Sequence, residues 1–135
     1  MDPTDFFTEE LAGLDWKQPK EVQASAKESI RRKIGDDLSP LMIQNLRKTQ
    51  WENAAELLEG LEPSKVVQFV PDLLEWLKDM NWPGADRVKK ICLNFEKHEL
   101  LPDIDAKISK AREDTDEDWV EALLSLQREV KDRAN

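Results

Sequence analysis

Leu73-Leu74-Glu75-Trp76-Leu77-Lys78-Asp79-Met80-Asn81-Trp82-Pro83-Gly84-Ala85 is the stretch on which the reading of the fold turns. Its first half is apolar at helical spacing, and its second half gathers Asp, Asn, Pro and Gly around a tryptophan. Turn-forming residues at that density end one helix and begin another. The spacing predicts a helix ending near Asp79, Asn81 as the N-cap of the next helix, and Pro83 and Gly84 in its first turn. Trp76 and Trp82 are expected to clamp this corner between the two helices.

The corner recurs along the chain. Asp15-Trp16, Gln50-Trp51, Asn81-Trp82 and Asp118-Trp119 follow one another at intervals of 35, 31 and 37 residues. Trp51, Trp82 and Trp119 each have an Ala three positions on, whereas Trp16 has Pro19 there. Periods of this size indicate stacked helix-turn-helix units. Each Trp opens a segment carrying one apolar stripe. These are Val22, Ala26, Ile30 and Ile34; Trp51, Ala54 or Ala55, Leu58 and Leu61; Ala85, Val88, Cys92 and Phe95; and Trp119, Ala122, Leu123, Leu126 and Val130.

The partner helices have their own start signals. Asp2-Pro3 and Ser39-Pro40 each offer a capping side chain followed by Pro at the first helical position, and Thr49 with Glu52 has capping-box spacing. Pro63 can begin the fifth helix, but Pro71 would clash inside it. A break near Val70 is expected, with a restart through Leu73, Leu74, Trp76 and Leu77. Leu100, Ile104, Ile108 and Ala111 mark the seventh helix. The expectation is an all-α chain, one domain over residues 1–135, of four stacked antiparallel helix pairs with the Trp-led helix second in each. Turns fall near 14–18, 47–50, 79–82 and 113–118, and an irregular helical bundle is the alternative.

Composition narrows the function classes. The formal net charge of −9 and a pI near 4.7 make phosphate backbones and anionic lipid surfaces poor partners and favour a basic protein. No run approaches the roughly 20 apolar residues of a membrane span, so a cytoplasmic location is expected. Cys92 has no second Cys to pair with, and His98 has no Cys or second His with which to hold a metal. Cys92 falls on an apolar stripe, as a small buried hydrophobe would, and His98 is expected near the end of the sixth helix. There is no Gly-rich phosphate loop, HExxH or GxSxG, and a single His cannot serve a triad without partners. The acidic run Glu113, Asp114, Asp116, Glu117 and Asp118 lacks the central Gly and oxygen spacing of a calcium loop and fits the start of a helix.

The residue-73-to-85 pattern, LLxWLxDMNWPxA, resembles the signature of a bacterial family known as domain of unknown function 5071. Leu14-Asp15-Trp16 with Pro19 and Val22 is similar to a weaker copy of the same unit. The Asp-Trp, Ala and aliphatic steps also look like HEAT-type repeats, whose resemblance implies a protein-binding scaffold; the Arg of their second helix has its nearest counterpart in Arg87. No catalytic residue is carried over, and no metal or cofactor is expected.

The functional expectation is a non-catalytic protein-interaction module, one version being an immunity-type protein that masks a basic toxin or nuclease. The alternative is a small-ligand or enzymatic site in a pocket lined by Trp51, Trp82 and nearby carboxylates. Trp51, Trp76, Asp79, Asn81 and Trp82 are the candidate residues, with a structural turn as their competing role.

Overall fold

The computed structural model describes residues 7–133, all of whose regular structure is helical. The cap expected at Asp2-Pro3 lies outside the described residues. The elements are α1 (Thr8–Gly13), α2 (Lys20–Lys33), α3 (Trp51–Glu59), α4 (Pro63–Val66), α5 (Val70–Glu75), α6 (Ala85–Leu93), α7 (Lys97–Glu113) and α8 (Glu117–Lys131). Short connections at 14–19 and 114–116 fold α1 onto α2 and α7 onto α8 as antiparallel hairpins. The helices α2, α3, α6 and α8 touch in succession and form one layer, while α5 and α7 pack together in the other. Stacked helix pairs are therefore the architecture, with two departures from regular pairing.

The first departure is the segment before α3. Ser39-Pro40 starts no α-helix; residues Ser39–Leu41, Ile43–Asn45 and Lys48–Gln50 form three successive 3-10 turns instead. Met42 and Leu46 between them are extended. Asn45 Nδ2 donates to the Ser39 carbonyl at 2.8 Å, taking an acceptor that an α-helix would reserve for the Ile43 N–H. Leu38, Leu41 and Met42 are nonetheless fully buried, so the turns fill the place of the missing helix.

The second departure was legible from Pro71. After α4 the chain tightens into a 3-10 turn at Val67–Phe69, and α5 restarts at Val70 with Pro71 in its first turn. A proline there has no N–H to leave unsatisfied. Leu73, Leu74, Trp76 and Leu77 all enter the core, the last two from a closing 3-10 turn at Trp76–Lys78. Pro102 breaks the usual rule by lying inside α7. The helix continues through it because Leu100, Ile104, Ile108 and Ala111 are buried on either side and hold the backbone in place.

One continuous apolar core runs through the stack. The stripes of α3, α6, α7 and α8 occupy it as their periodicity predicts; that of α2 does so at Ala26 and Ile30, with Ile34 packed against it, but not at Val22. Val22 is 41% exposed. Its neighbour on α1 is Gly13, where a Cβ would stand 2.7 Å from Ala26 Cβ; the close approach demands glycine and leaves Val22 without a covering side chain. His98 is also displaced from expectation, since α6 ends at Leu93 and His98 belongs to the first turn of α7, at the positive end of that helix.

Candidate functional site

The Asp79–Ala85 corner is a packed joint. Gly84 has φ 83° and is the residue before α6, so α6 begins at Ala85 and not at Pro83. A Cβ on Gly84 would lie 2.8 Å from Ala55 Cβ and 3.0 Å from the Trp51 carbonyl oxygen, so both its φ and its surroundings require glycine. Trp76 is fully buried and its indole N–H donates to the Pro83 carbonyl at 2.9 Å. Trp51 sits between the other two rings, edge-on to Trp76 at 6.4 Å and to Trp82 at 5.2 Å between centroids. Trp76 and Trp82 thus clamp the corner by way of Trp51, whose own N–H donates to the Leu46 carbonyl at 3.3 Å. Sequence had placed Trp76 and Trp82 at one corner and Trp51 in the preceding unit.

Asp79 and Asn81 are exposed and play a different part from the one expected. Asp79 Oδ1 accepts from the Asn81 backbone N–H at 2.8 Å, closing the turn, and Asn81 caps no helix. Asp15 does the same two units earlier, accepting from the Lys17 N–H at 2.9 Å. On α8 the cap is Asp116, which accepts from the Trp119 N–H at 3.2 Å, while Asp118 lies inside the first helical turn. The carboxylate or amide before Trp is therefore a turn or helix-start residue, and the N-cap expected at Asn81 does not form. Nor does the Thr49–Glu52 capping box. Gln50 instead accepts from the Arg47 N–H, and Glu52 is drawn away to α6.

That diversion builds the polar seam between α3 and α6. Arg87 donates to Glu52 at 2.7 Å and also pairs with Glu59, about two turns further along α3. Hydrogen bonds donated to Glu59 first and Glu52 second hold the Arg87 guanidinium above its ordinary pKa. Glu52 accepts from the Gly84 N–H as well, tying the seam to the corner. A second charged group surrounds Glu75, which is within 3.7 Å of Lys78 and Lys107 and 3.2 Å of Lys110. Lys78 lies 4.7 Å from the centre of the buried Trp119 ring, so cation–π attraction joins the cluster. Sequence reasoning missed this group because its members come from α5, the following turn and α7.

Cys92 is fully buried, and desolvation pushes its thiol up to about 12, as its place on the apolar stripe suggested. Two carboxylates, Glu10 and Asp15, are held below the ordinary range, the first mainly by a hydrogen bond from Lys33 and the second by the Lys17 backbone N–H. They line different clefts. Among the described residues no group of three or more His, Cys, Asp or Glu is arranged to hold a metal ion. None of their helices is long and apolar enough to cross a membrane.

Open concave surface is found at both ends of the stack. At one end a cleft between α1 and α2 is bordered by Glu9, Glu10 and Glu21 around Val22 and Ala26. At the other, a cavity of about 480 Å³ opens where α7 turns into α8, between Ala111, Val120 and Leu124 and the acidic residues Asp116, Glu117 and Glu121. Neither is lined by Trp51, Trp76 or Trp82. The signal for the second was present in sequence as the α8 stripe Glu117, Val120, Glu121 and Leu124, whose spacing places all four on one side of a helix.

Comparison with family models matches residues 41–133 to a domain of unknown function (DUF5071). No curated protein and no solved structure matches the chain. The match begins within the first 3-10 turn, so α1 and α2 lie before it.

Proposed function

Since the matched stretch takes in more than half of its length, the chain belongs to the family described as domain of unknown function (DUF5071), and from that premise we propose that it is a non-catalytic module that binds a basic protein. The observation that carries this reading is how the aromatic and charged groups are spent. Trp51, Trp76 and Trp82 pack on one another, Glu52 and Glu59 neutralise Arg87, and Glu75 is compensated by three lysines. What the fold leaves free is its outer surface, which carries the excess of the −9 net charge. Such a field speeds encounter with a cationic partner and repels polyanions. An immunity-type protein that masks a basic toxin or nuclease is one form this role would take.

The pocket reading has less behind it. Trp51 and Trp82 are half-buried in mutual contact, and the two carboxylates with lowered pKa sit in separate clefts on the N-terminal hairpin. Acid–base chemistry requires two such groups facing one reacting bond. Affinity capture from a lysate of the native cell, with the full chain as bait, tests the proposal. A specific basic protein should be retained at low salt and released as the ionic strength is raised to about 0.5 M, where screening extends over only a few ångströms. Recovery of no specific protein counts against the reading, and retention indifferent to salt removes its electrostatic part.

A further inference from the structure

We infer that the cavity at the α7–α8 corner is the docking seat for a basic amphipathic helix of the partner, laid along the outer side of α8. The inference rests on the protein-binding reading above and adds to it a place and a chemistry. On α8, Trp119, Leu123, Leu126 and Val130 turn into the core and are buried. Glu117, Val120, Glu121 and Leu124 occupy a second stripe beside the cavity. Val120 and Leu124 remain only half-buried, so a helix that already feeds the core still presents apolar surface outward. Ala111 of α7 supplies a small floor residue between them.

The charge of the rim selects the occupant. Glu117 and Glu121 are exposed and form no ion pair among the described residues, in contrast to Glu52, Glu56, Glu59 and Glu75, each of which has a cationic partner. Asp116 adds a third carboxylate, engaged by the Trp119 N–H, and among the described residues Arg112 is the one cation that lines the cavity. The rim is therefore net negative. A second copy of this chain would bring a formal charge of −9 against it, and a nucleic acid or anionic membrane would meet the same repulsion. A helix bearing Leu and Lys or Arg satisfies both parts: its aliphatic side chains enter a cavity of about 480 Å³, and its cationic heads reach Glu117 and Glu121. The α1–α2 cleft has an acidic rim too, but its Glu10 is already paired with Lys33 and the cleft lies before the family-matched stretch.

The test uses the full chain and a synthetic amphipathic helix of Leu and Lys about 15 residues long, the length at which an isolated helix is marginally stable. Backbone amide shifts should concentrate on the end of α7 and the first half of α8. Reversing charge with Glu117→Lys and Glu121→Lys together should weaken binding by roughly tenfold or more, and the same reversal at Glu9 and Glu21 should change it less than about threefold. All four positions are exposed, so folding is preserved and is verified by circular dichroism. Shifts centred on the α1–α2 cleft or on the aromatic corner overturn the inference, as does equal loss in the two double variants, which would mean that bulk charge alone is sensed. If the Glu117/Glu121 variant still captures the partner that the native sequence captures from lysate, the seat is wrong while the protein-binding reading stands; if the native sequence captures none, both fall.

Discussion

The two end hairpins start from the same sequence cue and are held in opposite ways. In α7–α8 the attachment is apolar: eight side chains from Leu100 to Val130 are buried, and the Trp119 indole N–H reaches across to the Leu74 carbonyl at 3.0 Å. In α1–α2 the attachment is largely polar. Gln50 donates to the Leu11 carbonyl at 2.6 Å and Asn53 to the Leu14 carbonyl at 2.7 Å, so side chains beside and within α3 satisfy acceptors at the open end of α1. Asn53 also donates to Gln23 at 2.9 Å, and the Trp16 backbone N–H donates to the Thr49 carbonyl at 3.0 Å. Gln50 and Asn53 are the buried polar residues of the described chain, and both serve this joint. An apolar seam gains from every ångström squared removed from water, whereas a hydrogen-bonded seam exchanges one set of partners for another and gains little net. The N-terminal hairpin should accordingly be the weaker end.

Substitutions can break this contrast from either side. The largest effect is expected from Trp119→Ala, which deletes a fully buried ring and leaves the Leu74 carbonyl without its donor. Urea denaturation should show a loss of about 3–5 kcal/mol in global stability. Asn53→Ala should cost about 1–3 kcal/mol, because the Leu14 carbonyl loses its side-chain partner, and the loss should appear as selective opening of α1 and α2. Hydrogen exchange resolved by residue distinguishes that local opening from global unfolding.

Acidification sharpens the contrast further. Glu10 binds Lys33 and Ser29 across the hairpin, and its carboxyl is held below its ordinary value of 4.5. A depressed carboxylate contributes stability that is complete above the unfolded-state value and fades as pH falls through the folded-state one. Protection of α1–α2 relative to α7–α8 should thus decline below about pH 4.5, and Glu10→Gln should weaken that dependence, leaving the part that Asp15 contributes. The smallest change belongs to Trp16→Ala. This ring is 47% exposed, so denaturation midpoints should move by the equivalent of no more than about 0.5 kcal/mol.

Trp16 and Trp119 also show what could be read from sequence and what could not. Both follow an Asp, but Trp119 is the third residue of α8 and turns inward, whereas α2 begins only after Pro19 and leaves Trp16 in the connecting turn. Pro19 at the place of the recurring Ala was the visible sign of that difference. The helical stripes of α3, α6, α7 and α8 and the break before Pro71 were legible because they follow from local spacing and proline geometry. Capping was misassigned because several Asp, Asn and Thr side chains compete for the same backbone donors, and tertiary partners such as Arg87 decide the outcome. The missing helix at Ser39–Asn45 has the same origin in one Asn45 hydrogen bond. Of the candidate site, the aromatic corner was legible but its mutual packing was not. The cavity beside Val120 needed the turn at Thr115, whose φ of 52° folds α8 back on α7.

Native-state hydrogen exchange on the unaltered chain in sub-denaturing urea tests the unequal ends most directly. The amides of α1 and α2 should exchange through an opening of lower free energy, with a smaller urea dependence, than those of α3, α6, α7 and α8. A single opening free energy shared by both hairpins, merging at the global unfolding value, would contradict it.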